Sequence, residues 1–116
     1  MPLHNWNTVE EEQLNPRMIR KVIHTQGLTI ARLRLLKYAV VPEHSHVNEQ
    51  VTMVEQGALK FRMDGREHTV SAGEALTIAP HAPHSVEALE DSVVIDIFSP
   101  RRDDWMRGED TYLRRT

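Results

Sequence analysis

With 116 residues, 40% of them hydrophobic and 27% charged, the chain has an ordinary globular composition that fits one domain around one core and excludes a disordered segment. Its net charge of -3, from 14 Lys+Arg against 17 Asp+Glu, together with 5% aromatic residues, leaves no basic base-stacking surface and excludes a nucleic-acid partner. No apolar run approaches the ~20 residues that cross a bilayer, the start lacks the basic and apolar regions of a signal peptide, and zero cysteines exclude disulfides and thiolate ligands. The expected location is therefore the cytoplasm, with no membrane partner.

Residues 1–15 are polar, with Glu10, Glu11 and Glu12 in a row, and read as a lead-in whose Trp6 patches an edge of the core. Arg17 to His24 reads as a strand with mixed faces, turned by Gln26-Gly27. From Leu28 to Tyr38, Ala31, Leu33 and Leu35 fall on one side and Arg32 and Arg34 on the other, the period of a half-buried strand, which Pro42 ends.

Next comes Glu43-His44-Ser45-His46-Val47-Asn48-Glu49-Gln50. Side chains on an extended backbone repeat every second residue, so His44 and His46 project together. Neutral imidazole is the commonest protein ligand for first-row transition metals, although a solvated strand edge can carry the same pair. A metal site needs further donors. Gln50 shares the parity of the two histidines; Glu49 would replace it if a bulge turned that residue inward. His84 is the candidate that closes the set.

Val51 to Val54 continues as an apolar strand up to the turn Glu55-Gln56-Gly57. Leu59, Phe61 and Met63 alternate with Lys60 and Arg62, and Asp64-Gly65 is a two-residue hairpin signal of type I′ that doubles the chain back through Val70. After the turn at Ser71-Ala72-Gly73-Glu74, Ala75 to Ala79 makes a short strand stopped by Pro80. Pro80 and Pro83 stiffen the loop that delivers His84, which shares a face with Val86 and Ala88. Val93 to Phe98 is the last clear strand, with Val94, Asp96 and Phe98 on one side. His4, His24, His68 and His81 are expected at the surface, His81 being near enough to His84 to touch a ligand. Trp105 and Tyr112 either cover the barrel opening or pack outside it, and Arg114-Arg115-Thr116 is expected to fray.

Short strands punctuated every 8 to 12 residues or so by Gly, Pro and Asp-Gly indicate an all-β sandwich or barrel. Within it, Asp96 lies among Val93, Val94, Ile95 and Ile97, where an ionised carboxylate needs a partner. A structural salt bridge to a nearby arginine and a role in chemistry are both consistent with its spacing.

His44-x-His46, Gln50, Gly57, Gly73, Pro80 and His84 together resemble the two motifs of the cupins, over most of Pro42 to Ala88. Cupins usually have Glu at the place of Gln50, Gly at Ala82 and Asn at Ala88. The resemblance implies a single-domain double-stranded β-helix, or jelly-roll barrel, over residues 16–105, with a lead-in at 1–15 and a tail at 106–116. It also implies one divalent transition metal (Zn, Ni, Mn or Fe) on His44, His46, Gln50 and His84. A homodimer is expected, the strand from Arg17 to His24 packing on the partner.

Asp96-Ile97-Phe98-Ser99-Pro100, Arg102 and Asp104-Trp105, with Arg20-Lys21-Val22 and Gln50, look like the small pectin-degradation (KdgF-type) cupins. These open the ring of 4,5-unsaturated galacturonate, so the likeness implies an anionic sugar acid as substrate and Asp96, Phe98 and Arg102 as the residues implicated beside the metal. Two other readings stand: a cupin that binds a sugar or small ligand without changing it, and an Fe(II) dioxygenase.

Overall fold

The computed structural model describes residues 2–114. Its ten strands are β1 (Glu11–Asn15), β2 (Met18–His24), β3 (Thr29–Leu35), β4 (Val40–His44), β5 (Glu49–Gln56), β6 (Ala58–Met63), β7 (Arg66–Ser71), β8 (Ala75–Ile78), β9 (His84–Ala88) and β10 (Ser92–Ser99). One helical turn, α1 (Asp103–Met106), and a 3-10 turn at Thr111–Leu113 follow. The strands form a six-stranded sheet, β1-β2-β3-β10-β5-β8, facing a four-stranded one, β4-β9-β6-β7. All pairings are antiparallel, and the two sheets make the expected jelly roll. No helix among the described residues is long and apolar enough to cross a membrane.

Alternation decides which residues enter the space between the sheets. In β3 every second residue, Thr29, Ala31, Leu33 and Leu35, is buried; opposite them Leu59, Phe61, Val70 and Ala88 fill the inner face of the smaller sheet. Two turns fix the strand ends. Asp64 and Gly65 both have positive φ (55° and 69°), as a type I′ hairpin requires. Gly57 (φ 86°) passes so close to Ser92 and the Asp91 carbonyl that a Cβ would overlap them. Glycine there lets the end of β5 meet the start of β10.

Three local expectations are revised. Pro42 does not end a strand; it sits inside β4, at an irregularity between Val41 and His44. An outermost strand tolerates a proline because one side of it has no hydrogen-bonding neighbour. The lead-in is part of the fold from Glu11 onward, since β1 pairs with β2 and Leu14 is buried. β2 has partners on both sides within its own chain, β1 and β3.

The tail also packs back. Leu113 joins the core and its carbonyl accepts a 2.8 Å hydrogen bond from Asn15 Nδ2. Asp110, only 2% exposed, takes the buried Arg20 guanidinium at 2.8 Å and Arg114 at 3.1 Å, while Glu12 holds the other side of Arg20. Of the expected frayed end, Arg114 is tied down in this way; Arg115 and Thr116 lie outside the described residues. Breaking such an ion pair strands a buried charge, so Asp110→Ala is expected to lower stability by about 3 kcal/mol in urea unfolding. The residual Arg20–Glu12 pair keeps the loss from being larger.

Candidate metal centre

His44 and His84 are cross-strand partners at the neighbouring ends of β4 and β9, and His46 follows in the loop after β4. The proline-rich loop before β9 is attached to that loop by the His81 N–H, which donates to the His46 carbonyl at 2.8 Å. The rings of His44 and His46 lie 4.2 and 5.0 Å from that of His84, centroid to centroid. One nitrogen of each histidine falls within 4.8 Å of the others.

Hydrogen bonding selects which nitrogen that is. Nδ1 of each ring faces a backbone carbonyl: Pro42 for His44 at 2.8 Å, Asn48 for His46 at 3.0 Å and Ala82 for His84 at 2.8 Å. A carbonyl only accepts, so each Nδ1 carries the proton and each Nε2 a lone pair. Burial pulls His44 and His46 down to about 4 and lowers His84 as well, which keeps all three neutral near pH 7.

The candidate fourth donor is on the facing sheet. Gln50 is 5% exposed and points inward, while Glu49 is exposed, so no bulge exchanges the two. Gln50 Oε1 stands 3.0 Å from His46 Nε2, a contact between two acceptors with no proton to share. His84 Nε2 is buried with no hydrogen-bond partner at all. Three lone pairs and a carbonyl oxygen converging without a donor are mutually repulsive unless a cation sits among them. The donor set, three nitrogens and one neutral oxygen, fits a divalent transition metal, and does so without favouring one member of the series.

Beside this cluster lies a cavity of ≈ 50 Å³ lined by His44, Gln50, His84, Asp96, Phe98 and Arg102 among others. At roughly 10–15 Å³ for each water it has room for a few waters, far below the roughly 300–1,000 Å³ of sites that enclose a small organic ligand. Tyr112 closes it on one side, its ring 4.8 Å from that of His44. Trp105 is a second wall. Both aromatic residues therefore cover the barrel interior.

Asp96 sits on the inner face of β10, directly across from Thr52 on β5, whose hydroxyl donates to Asp96 Oδ1 at 2.6 Å. Burial pushes the Asp96 carboxyl up to about 6, against the opposing pull of the Thr52 hydroxyl and the Arg102 charge. The structural salt bridge considered from sequence is made elsewhere. Arg102 gives Nε and Nη2 to Asp104 at 3.0 and 2.9 Å, and Nη2 also to the Tyr112 hydroxyl at 2.9 Å. Its guanidinium stacks on Phe98 and Trp105, 4.7 and 4.4 Å from their ring centres. Nη1 is the one terminal nitrogen outside these bonds. Phe98 meets the edge of the His46 ring at 5.6 Å, so it both packs the core and supports a ligand.

All seven sequence-derived site residues are thus within one neighbourhood, and Thr52 joins them. Thr52 was legible only through strand parity: it lies two residues after Gln50 on the inward face, opposite Asp96. His81 is exposed and does not line the cavity; His4 is also exposed, and His24 and His68 are half-buried away from it.

Comparisons with known proteins agree with this geometry. Residues 32–98 match the Cupin_2 family, described as a cupin domain. Pectin degradation protein KdgF of Dickeya dadantii (strain 3937) is 30% identical over 98 residues, covering 82% of this chain and 89% of that protein. The structure of KdgF from Halomonas sp. superposes with a TM-score of 0.79 at 35% identity, covering 85% of this chain and 94% of that one. An RmlC-like cupin from Shewanella frigidimarina NCIMB 400 gives a TM-score of 0.82 at 25% identity, covering 88% and 93%. By motif, fold and site alike, the chain belongs to the cupin family and is one of its small KdgF-like members.

Proposed function

We propose that this cupin is a metal-dependent isomerase that opens the ring of an unsaturated uronate, 4,5-unsaturated galacturonate, to its linear keto form. The observation that carries the reading is a carboxyl group raised to about 6, Asp96, in the same cavity as two of the three clustered, lone-pair-bearing imidazoles, His44 and His84. A carboxyl with that pKa is a serviceable acid and base near neutral pH. The similarity to two KdgF proteins, one of them described by its role in pectin degradation, supports the substrate class.

The bound metal would be held by His44, His46, His84 and Gln50 and would supply Lewis acidity toward a substrate oxygen; a neutral glutamine leaves its full double charge in place. Asp96 takes the proton of the anomeric hydroxyl as the bond from the anomeric carbon to the ring oxygen breaks. That leaves an aldehyde at one end and an enolate at the other. Asp96 then returns the proton to the alkene carbon, C4, and the enolate becomes the ketone. No redox change is involved. Arg102 supports the uronate carboxylate through its charge and its Nη1, because Asp104 already occupies the two-pronged edge. Phe98 packs against the sugar ring. A cavity of ≈ 50 Å³ must widen to admit a monosaccharide, and the 3-10 turn bearing Tyr112 is the element we assign to that movement.

A homodimer is part of this proposal. With β2 enclosed in its own sheet, the surface that supports it is the outer face of the large sheet, where Ile23, Ile30, Ile97 and Val51 form one half-buried row across four strands.

Metal-loaded protein is expected to remove the enol-ether absorbance of unsaturated galacturonate without consuming oxygen. Oxygen uptake with a phenolic or diketone substrate would instead favour a dioxygenase. Saturable binding of the uronate with no loss of absorbance would make the protein a binding module.

A further inference from the structure

We infer that Thr52 is a positioning residue that turns the Gln50 carbonyl oxygen toward the histidines, and so makes a glutamine usable as a metal ligand at this place. The inference rests on the metal site but not on the uronate chemistry. A primary amide is nearly symmetric in shape and opposite in function at its two ends: its oxygen can ligate a cation, and its NH2 group repels one. Something must decide which end faces inward.

The deciding contacts centre on Thr52, with the Gln50 amide also acting directly on Asp96. Thr52 is fully buried, and its hydroxyl has one proton. Asp96, as a carboxylate, can only accept, so that proton goes to Asp96 Oδ1 at 2.6 Å. The Thr52 oxygen is then left as an acceptor for its other neighbour, and it receives Gln50 Nε2 at 2.9 Å. With the NH2 end held at Thr52 and turned toward Asp96, Gln50 Oε1 faces His46 Nε2 and the metal position. Strand register builds the relay: Thr52 is two residues from Gln50 on β5, hence on the same face, and opposite Asp96 on β10.

The same contacts account for glutamine where cupins usually have glutamate. A glutamate at this place would set two carboxylates against one hydroxyl proton, leaving a buried acceptor pair unsatisfied. Thr52 therefore matches Gln50 in particular, and its hydroxyl joins the metal ligand to Asp96.

The test compares Thr52→Val, which keeps the shape and removes the hydroxyl, with Thr52→Ser, which keeps the hydroxyl. Titrating each metal-free protein with Co(II) and following the visible absorption bands reads affinity and ligand field together. Thr52→Val is expected to bind Co(II) ~10–100-fold more weakly, with shifted bands, as for other lost supports of a metal ligand, and Thr52→Ser to stay near the parent. In a Gln50→Glu background the loss from Thr52→Val should largely vanish, because a carboxylate presents oxygen whichever way it turns. Parental affinity and spectrum in Thr52→Val, or an equal loss in both backgrounds, would overturn the inference. Absence of Co(II) binding by the parent would overturn the metal centre itself, a failure visible before any variant is made.

Discussion

His84→Ala is expected to lose bound metal almost completely and, with it, any turnover of unsaturated galacturonate. His84 is buried, its Nδ1 is fixed by the Ala82 carbonyl, and its Nε2 has no other partner to which it could be assigned. Removing it deletes one of only three nitrogens. The fall in affinity should exceed the ~100-fold typical of losing a mere supporting hydrogen bond. A second readout separates loss of metal from loss of fold. Ligand binding to the native state stabilises it by ~2.7 kcal/mol at a hundred times the dissociation constant, so added Zn(II) should raise the thermal midpoint of the parent and leave that of folded His84→Ala unchanged. A variant that keeps stoichiometric metal would remove His84 from the ligand set.

Asp96→Asn has the second large expected effect, and it acts in opposite directions on activity and stability. Loss of the acid and base should reduce turnover by ~10²–10⁴-fold while bound metal is retained. In metal-free protein the folded carboxyl titrates at about 6 because burial disfavours its charge, whereas the unfolded one titrates near ~3.9. Between those values the folded state holds the extra proton. Stability of the metal-free parent should therefore fall as pH rises from about 4 to about 6 and level off above, whereas Asn at this position removes the slope. The gap above pH 6 is expected to be about 1 to 3 kcal/mol in favour of the variant, the lower values applying if water in the cavity screens the carboxylate. Denaturant unfolding at a series of pH values checks it. Parental turnover by metal-loaded Asp96→Asn would exclude Asp96 from the chemistry.

What could be read from sequence here was whatever depends on parity and punctuation. The inward faces of β3 and β10 and the Asp64-Gly65 hairpin follow from a two-residue period interrupted by turn residues, whereas the meeting of His84 with His44 and His46 was implied by the resemblance to the cupin motifs. What escaped was set by contacts distant along the chain. Pro42 looks like a terminator until β4 is seen to be an outermost strand. The polar run at Glu10 to Glu12 looks like a lead-in until Glu12 meets Arg20 and Leu14 enters the core. Residues 107–114 have no strand or helix period in the sequence, and are held by Asp110, Tyr112 and Leu113 reaching β2, Arg102 and the core respectively. Arg102 illustrates the limit best: the resemblance implicated it beside the metal, but nothing in the sequence told that Asp104, two residues on, would occupy one edge of its guanidinium.

The most direct examination of the metal centre is X-ray absorption at the edge of the bound ion, after loading metal-free protein with one equivalent of Zn(II). The expected spectrum has a first shell of nitrogen and oxygen at ~2.0–2.2 Å with the outer-shell scattering of three imidazoles, reduced to two in His84→Ala if residual metal remains. A parent spectrum with only water-like oxygen neighbours and no imidazole scattering would contradict the assignment of His44, His46 and His84 to one cation.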